Sequence, residues 1–281
     1  MPTARKYPRE LKVKPKLPKL ENATLLLALS GWMDGGDVSS GSVRAIMGRR
    51  EVRQIARIEP DDFYIYNFPG SMEIAALFRP HVTYEEGVVT AFDMPANIFW
   101  ADEESNLVFF VGKEPNLRWP AFAECIFAMA KAVGVTRILF MGSFGGSVPH
   151  TREPRLYGSV SDKSLKNLLT EHGLKPSEYD GPGSFATLLL NSAKRHDIDM
   201  LSLVAEIPSY LEGTNPLSIE AIARRLARII GQPIDLASLR ETSNEWESRV
   251  TEVVDKDEKL AATIRKLEEA YDNELISQEG S

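Results

Sequence analysis

Two side chains with acid–base and anion-binding chemistry, His150 and Arg152, follow a short apolar stretch in the middle of the chain. That stretch, residues 137–141, has the composition of a buried strand, and three glycines separate it from His150. In α/β proteins ligands bind in the crevice at the carboxyl ends of the strands, where glycines let the backbone approach closely. We therefore predict that residues 142–152 form a loop at the functional edge of a sheet.

A second glycine-rich segment, residues 31–37, follows the continuous apolar run of residues 23–29. The run predicts a strand buried on both faces, and an amphipathic helix over residues 38–47 comes next. A turn between a strand and a helix can bind an anion through backbone N–H groups. Its spacing matches neither a dinucleotide fingerprint nor a phosphate-binding loop with its lysine. Alternatively, the glycines only form a tight turn and Asp37 caps the helix, which leaves Trp32 at the strand mouth unexplained.

Charged side chains from three separate segments are predicted to reach one crevice, because parallel strands send their carboxyl ends to the same side. Glu114, His150 and Arg152 would suit a bound anion or carboxamide, with one group as acid or base and another stabilising charge. The same side chains could instead form a fixed hydrogen-bond and salt-bridge network that holds the loops. The candidate crevice residues are Gly31, Trp32, Asp34, Gly35, Gly36, Asp37, Glu114, Ser143, Gly145, Gly146, His150, Thr151 and Arg152.

Other catalytic and metal-binding patterns do not occur in the sequence. A serine nucleophile with a histidine and an acid in hydrolase order is missing. The four histidines do not cluster as zinc ligands, and Asp61 and Asp62 have no third ligand at suitable spacing. The one cysteine, Cys125, lies in an apolar helical pattern, so we predict a core thiol in a reducing compartment. No metal or cofactor is predicted.

Composition narrows the class of protein further. The chain has 281 residues, 43% of them hydrophobic, and a net charge of −7. An acidic chain is a poor general partner for nucleic acid, which calls for a basic surface. We expect no membrane span, because no apolar run approaches the necessary length of ~20 residues. Without an apolar leader at the N terminus, the expected location is the cytoplasm.

Alternating apolar strands and amphipathic helices predict an α/β fold with a largely parallel sheet covered on both faces. Residues 87–92, 98–101 and 107–112 predict an antiparallel meander. We divide the chain into an extended basic arm (1–20), an α/β domain (21–232) and a C-terminal helical segment (233–281). The arm either binds an acidic partner or lies over the acidic body. The tail has helical-hairpin spacing with a break at residues 255–258, and it either packs on the domain or contacts another copy.

An ordered set of short motifs resembles the proteasome assembly chaperone 2 family in its bacterial branch, over roughly residues 20–277. The motifs are Gly31-Trp-Met-Asp-Gly-Gly36, Arg79-Pro80, Gly112-Lys-Glu-Pro115 with Trp119, Val148-Pro-His-Thr-Arg152, Tyr179-Asp-Gly-Pro182 and Ile207-Pro-Ser-Tyr210 with Asn215-Pro216. The resemblance implies a fold similar to purine nucleoside phosphorylases, a three-layer α/β/α sandwich around a mixed, largely parallel sheet. Gly142-Ser-Phe-Gly-Gly146 is similar to the stretch that holds phosphate and base in those phosphorylases.

The resemblance also implies a function, although fold alone does not grant a reaction. Eukaryotic and archaeal relatives help to assemble the proteasome and are not enzymes. Some dock through a C-terminal hydrophobic-Tyr-any-residue tail, whereas this chain ends Ser277-Gln-Glu-Gly-Ser281. We predict a non-enzymatic, assembly-chaperone-like protein with protein partners, forming a homo-oligomer, a trimer by family likeness. The alternative is a small-molecule protein for nucleoside- or phosphate-like ligands, or a phosphorylase- or hydrolase-type enzyme acting in the crevice.

Overall fold

The computed structural model describes residues 6–279, and its strands form one large sheet and one separate hairpin. The strands are β1 Leu11–Val13, β2 Ala23–Ser30, β3 Arg53–Ile58, β4 His81–Glu85, β5 Val88–Asp93, β6 Asn97–Asp102, β7 Leu107–Lys113, β8 Val135–Gly146, β9 Leu156–Val160, β10 Lys175–Pro176 and β11 Asp199–Pro208. The helices are α1 Val38–Met47, α2 Met72–Ala76, α3 Trp119–Ala132, α4 Asn167–Glu171, α5 Phe185–Ala193, α6 Pro216–Ile230, α7 Ala237–Val254 and α8 Glu258–Glu279.

The large sheet is mixed, with nine strands in the order β1-β3-β6-β7-β2-β8-β11-β9-β10. Its four central strands, β7, β2, β8 and β11, are parallel. The strands on the β1 side of β7 are antiparallel, as is β9 beside β11. The carboxyl ends of β2, β7, β8 and β11 therefore lie at the same edge of the sheet, where α/β proteins bind their ligands and partners.

Two apolar cores on opposite faces of the sheet make the molecule a three-layer α/β/α sandwich. Leu25 and Leu27 of β2 pack with α3 and α5 on one face. Leu26 of the same strand packs with α1 and α6 on the other. All three side chains are fully buried, as expected for a central parallel strand. The predicted fold class is confirmed.

Cys125 of α3 belongs to the first core and is fully buried, as predicted. Burial raises the pKa of its thiol to about 12, with Glu10 and Glu124 adding to the effect. The thiol is therefore un-ionised at neutral pH and packs as a small apolar group.

The C-terminal segment is the predicted helical hairpin. Residues 255–257 separate helices α7 and α8. The Asp257 carboxylate caps the N-terminus of α8 by accepting hydrogen bonds from the backbone N–H groups of Lys259 and Leu260. Val254, Ala261 and Ile264 form a small apolar cluster within this hairpin.

Residues 6–20 run along the edge of the sheet formed by β3. Leu11 pairs with Ile58, which adds β1 as the outermost strand on that side. Arg9 and Arg118 both pair with Asp62, so this acid serves as an ion-pair partner. Residues 1–5 of the predicted arm and residues 280–281 of the predicted tail lie outside the described part of the chain. Between residues 6 and 279, no helix combines the length and the apolar character required to cross a membrane.

Two predictions about local structure are wrong. Residues 142–146 are not a loop, because β8 continues to Gly146 and pairs residue by residue with β11 as far as Pro208. Residues 88–93 do not join the meander, because β6 pairs with β3 on that side and leaves β5 to pair with β4 in the separate hairpin. The hairpin between β6 and β7 forms as predicted.

Candidate functional site

The turn after β2 is held together by its own acids. The Asp34 carboxylate accepts a hydrogen bond from the Ser40 backbone N–H at 2.9 Å, and burial raises the pKa of this carboxyl. Asp37 occupies the N-cap position of α1, as the alternative interpretation has it, but its side chain makes no capping hydrogen bond to the helix. Its backbone is left-handed, with φ of 54°, and its carboxylate instead accepts a hydrogen bond from the Thr214 hydroxyl at 2.5 Å. The side chain that accepts from the first turn of α1 is that of Asp34.

Glu114 ties the same turn to α5. Its Oε2 accepts a hydrogen bond from the Trp32 backbone N–H at 3.0 Å, and its Oε1 accepts one from the Phe185 backbone N–H at 2.8 Å. Gly31 leaves room for this carboxylate, because a Cβ there would lie 3.0 Å from the Glu114 Cβ and φ is 132°. Both carboxylate oxygens of Glu114 therefore hold backbone groups of two separate segments.

Ser143 of β8 fixes the other side of the turn. Its hydroxyl donates to the Gly35 carbonyl at 2.6 Å, and its backbone N–H donates to the Met33 carbonyl at 2.9 Å. Gly36 is left-handed at φ of 64°, and a Cβ there would lie 2.8 Å from the Asn215 Cβ. The Asn215 backbone N–H donates to the Gly36 carbonyl. Residues 31–37 are thus a preorganised turn with close packing on two glycines.

A buried carboxylate at the end of β11 organises the end of β8. Glu206 Oε1 accepts hydrogen bonds from the backbone N–H groups of Ser147 and Val148, and its Oε2 pairs with Arg155 at 3.2 Å. Gly146 is a glycine because a Cβ there would lie 2.3 Å from Glu206 Oε1. Gly145 packs against Ser209. Of the glycines in the phosphorylase-like stretch, Gly146 therefore makes space for a protein carboxylate.

His150 links the sheet edge to α7. Only 1% of His150 is exposed, its Nδ1 lies 2.8 Å from the Tyr210 hydroxyl and its Nε2 lies 3.1 Å from Thr251 Oγ1. The Thr251 hydroxyl donates onward to the Glu247 carbonyl, so it accepts from an Nε2–H group and Nδ1 accepts from the tyrosine. Burial lowers the pKa of this imidazole, which favours the neutral form.

Thr151 and Arg152 bind the second tail helix. The Thr151 hydroxyl donates to Glu268 Oε1, and Arg152 makes a bidentate pair with Asp272 in which both N–O distances are 2.8 Å. This pairing raises the pKa of Arg152 and lowers the pKa of Asp272. Arg155 pairs with Glu274, two residues further along α8. Residues 150–155 therefore hold the helical hairpin against the end of the sheet through hydrogen bonds and ion pairs.

The thirteen predicted residues lie at one edge of the sheet, and their side-chain bonds fall into two networks. The first network joins the turn 31–37 to Glu114 and Ser143. The second joins His150, Thr151 and Arg152 to α7 and α8. Among residues 6–279, no group of three histidine, cysteine or acidic side chains is placed to hold a metal ion.

Three important residues of the site, Arg155, Glu206 and Tyr210, were not predicted. Glu206 carried a signal in the sequence, because an acid directly after the apolar run of residues 200–205 must find partners when the strand end is buried. Arg155 and Tyr210 carried no such signal, since their partners lie on other elements.

Four large apolar side chains, on the turn or on segments connected to this site, are exposed to solvent. Trp32 is 69% exposed and Tyr179 is 70% exposed, while Phe144 and Leu117 are about half exposed. Trp32 lies on the turn held by Glu114, Leu117 lies three residues after Glu114, and Phe144 follows Ser143. The described site is therefore a rigid turn that carries an exposed indole.

Fold and site together define a class: a three-layer α/β/α protein whose charged groups at the carboxyl edge bind its own loops and tail helices. The PAC2 family model matches residues 28–254, and the chain belongs to this family. The predicted resemblance is confirmed. A comparison with curated proteins finds no match.

Several solved structures share the fold. A protein of unknown function from Corynebacterium glutamicum ATCC 13032 is 20% identical, with a TM-score of 0.82 over 96% of this chain and 99% of that one. A PAC2 family protein from Streptomyces avermitilis MA is 25% identical, with a TM-score of 0.71 over 86% and 99%. A Mycobacterium tuberculosis proteasome-assembly chaperone homologue is 24% identical, with a TM-score of 0.74 over 86% and 99%.

Proposed function

We propose that this chain is a non-enzymatic, assembly-chaperone-like protein that binds a protein partner through the surface around Trp32. The observation that carries the proposal is the contrast at this residue: its side chain is 69% exposed, while Glu114 fixes its backbone. A large aromatic side chain on a rigid backbone loses little conformational entropy on binding, which makes it an effective anchor.

The composition of the surrounding surface supports the same function. Leu117 and Phe144 follow residues that bond to the Trp32 turn, Tyr179 lies in the loop before α5, and all three side chains are exposed. Aromatic residues are enriched at protein interfaces, and tryptophan and tyrosine are prominent among residues that dominate binding energy.

The internal bonding of the charged residues also supports binding over catalysis. Both oxygens of Glu114 accept backbone hydrogen bonds, and both ring nitrogens of His150 contact hydroxyl groups. Arg152 is engaged by Asp272. A general acid or base needs to reach a substrate proton, and these side chains are already occupied by the protein itself.

The family comparison supports the kind of partner. One relative with this fold is a proteasome-assembly chaperone homologue, so we infer that the partner here is a protein subunit awaiting assembly. We further infer that the chain works as a homo-oligomer, with a trimer favoured, in the cytoplasm, where a buried unpaired thiol such as Cys125 is ordinary.

Site-specific photo-crosslinking tests the Trp32 surface. A photoreactive phenylalanine analogue replaces Trp32 in cells, and the same analogue replaces Ile276, which is 68% exposed on α8. We expect a protein that crosslinks from position 32 and not from position 276. The purified pair should then bind at least tenfold more weakly with Trp32→Ala, and unchanged with Ile276→Ala.

Equal affinity of Trp32→Ala and wild type would contradict the proposal. So would a rise in melting temperature with a nucleoside, nucleotide, phosphate or amino acid that Ser143→Ala abolishes, because a ligand of the folded state must stabilise it. That second result would favour the small-molecule function instead.

A further inference from the structure

Exposed apolar side chains are concentrated in one segment, which joins β3 to β6. Residues 67–96, here named the projection, contain α2, β4 and β5. Among the described residues, nine of the sixteen exposed large apolar side chains lie in the projection. These are Phe68, Met72, Ile74, Leu77, Tyr84, Val88, Val89, Phe92 and Met94. Single exposed apolar residues are normal, but a concentration of this size marks an interaction surface.

The hairpin of the projection has a distinct apolar face. Val82 pairs with Phe92 and Tyr84 pairs with Val89 across the two strands. Directly opposed residues of an antiparallel pair share a face, and alternate residues of a strand do as well. Tyr84, Val89 and Phe92 are 63%, 49% and 58% exposed, so this face is uncovered.

The projection also lacks the support that a hairpin ordinarily needs. Strands β4 and β5 form a sheet of their own, separate from the nine-stranded sheet. A two-stranded hairpin by itself is at best marginally stable in water, and packing of its apolar face is what usually stabilises it. The apolar face of the β4–β5 hairpin therefore needs another apolar surface packed against it.

The uncovered area matches the size of a stable protein interface. At on the order of 100 Å² of exposed surface per large apolar side chain, the nine expose about 900 Å² in total, divided between α2 and the two faces of the hairpin. Each partner contributes ~800 Å² to an interface of standard size. The projection thus supplies a large apolar share of one side of a specific contact.

Charge complementarity points to another copy of this chain as the cover. The projection has four acids, Glu73, Glu85, Glu86 and Asp93, against Arg79, a net charge of −3. Residues 6–20 have six basic residues against Glu10, a net charge of +5. Within residues 6–279, the five lysines of this arm make no ion pair with a carboxylate, although Lys12 donates a hydrogen bond to the Arg9 carbonyl, so their charges can pair with acids of a neighbour.

We propose that a second copy of the chain covers the projection, burying its apolar face and pairing its acids with the basic arm of that copy. The proposal rests on the self-association proposed above and assigns its contact surface. Every copy of the chain exposes this apolar surface, so each copy needs a partner that is present at the same concentration. A second copy of the same chain meets this condition.

Light scattering on the full chain tests the apolar part of the contact. Wild type should have a mass that is a multiple of 31.3 kDa. Phe92→Glu should raise the dissociation constant at least tenfold, whereas Val253→Glu, 64% exposed on α7, should leave it unchanged. Unaltered secondary structure and melting temperature in dilute Phe92→Glu would show that the variant folds.

The outcomes separate the two proposals. A wild-type oligomer that Phe92→Glu leaves intact overturns the projection as the contact surface, while self-association stands. A wild-type mass of 31.3 kDa at high concentration overturns both, and binding through Trp32 is judged by its own crosslinking experiment.

Charge reversal tests the ionic part of the contact. Lys12→Glu with Lys14→Glu should raise the dissociation constant at least fivefold, and Glu85→Lys with Glu86→Lys should do the same. All four substitutions together should restore it to within twofold of wild type, because opposite charges again face each other. Further weakening in the fourfold variant would overturn the pairing of acids with the arm.

Discussion

Glu114 shows how an acid at the functional edge serves the backbone instead of a ligand. It lies at the end of β7, and its two oxygens satisfy backbone N–H groups on the turn 31–37 and at the start of α5. A carboxylate with two accepting oxygens is the side chain that suits two donors. Glu114 thus fixes the backbone of Trp32 itself, while Ser143 and Asn215 hold the rest of the turn.

Glu114→Gln should therefore destabilise the protein by about 1–3 kcal/mol, since the amide nitrogen faces one of the two N–H groups and leaves it unsatisfied. Denaturant unfolding measures the change. Glu124→Gln is the control, because Glu124 is 60% exposed on α3 and should change stability by less than about 0.5 kcal/mol. Equal stability of Glu114→Gln and wild type would remove Glu114 from this role.

His150 makes the stability of the folded protein depend on pH. Burial lowers its pKa in the folded state below the ordinary value of 6.5. The unfolded chain therefore binds a proton more readily than the folded chain below about pH 6.5. The stability contributed by the neutral imidazole is fully present above that pH and is lost as the pH falls toward the lowered pKa.

His150→Gln should consequently reduce the fall in unfolding free energy between pH 7 and pH 5. At pH 7 the variant should be less stable by about 1–3 kcal/mol, because one of the contacts to Tyr210 or Thr251 is lost. Urea titrations at several pH values provide the measurement. Parallel pH profiles for wild type and variant would contradict a neutral, buried imidazole.

The residues of the site were easier to predict than their partners. His150, Thr151 and Arg152 stood out by chemical type and by position after an apolar stretch. Their bonds go to Thr251, Glu268 and Asp272, which are at least 100 positions away in the chain. Tail docking decides these contacts, and residue type and local spacing carry no information about it.

At the scale of elements, β8 is the clearest case in which tertiary pairing overrides a local signal. Three glycines within residues 142–146 favour a loop, but β11 runs alongside and pairs with every residue of that stretch. Gly146 then makes space for Glu206, which holds the backbone after the strand. Strand β2 and helix α1 were predictable from local sequence. A strand buried on both faces has a continuous apolar run, and an amphipathic helix has apolar residues at helical spacing.

Gly146→Ala should destabilise the protein by about 2–4 kcal/mol, since the added methyl group displaces a buried, hydrogen-bonded carboxylate. Gly183→Ala is the matched control, because a Cβ there meets no atom within 4 Å. It should change stability by less than about 1 kcal/mol in either direction. Thermal or chemical unfolding of both variants gives the comparison, and similar values for the two would contradict the role of Gly146.

At the scale of the whole molecule, the structure divides into a well-covered sandwich and an uncovered projection. The central strands are buried by α3 and α5 on one face and by α1 and α6 on the other. Alternation of strands and helices predicted this arrangement. The projection escaped prediction because its apolar residues look the same in a sequence whether their cover comes from the same chain or from another copy.

If copies of the chain cover one another, stability must depend on protein concentration, because association favours the folded state by mass action. The melting temperature of wild type should rise by several degrees between 1 and 100 µM. Phe92→Glu should melt at a temperature that is independent of concentration over the same range, and near the wild-type value at high dilution. Val253→Glu should follow wild type. A concentration-independent melting temperature for wild type would show that folding does not depend on a second copy, and that the apolar face of the hairpin is stable without a cover.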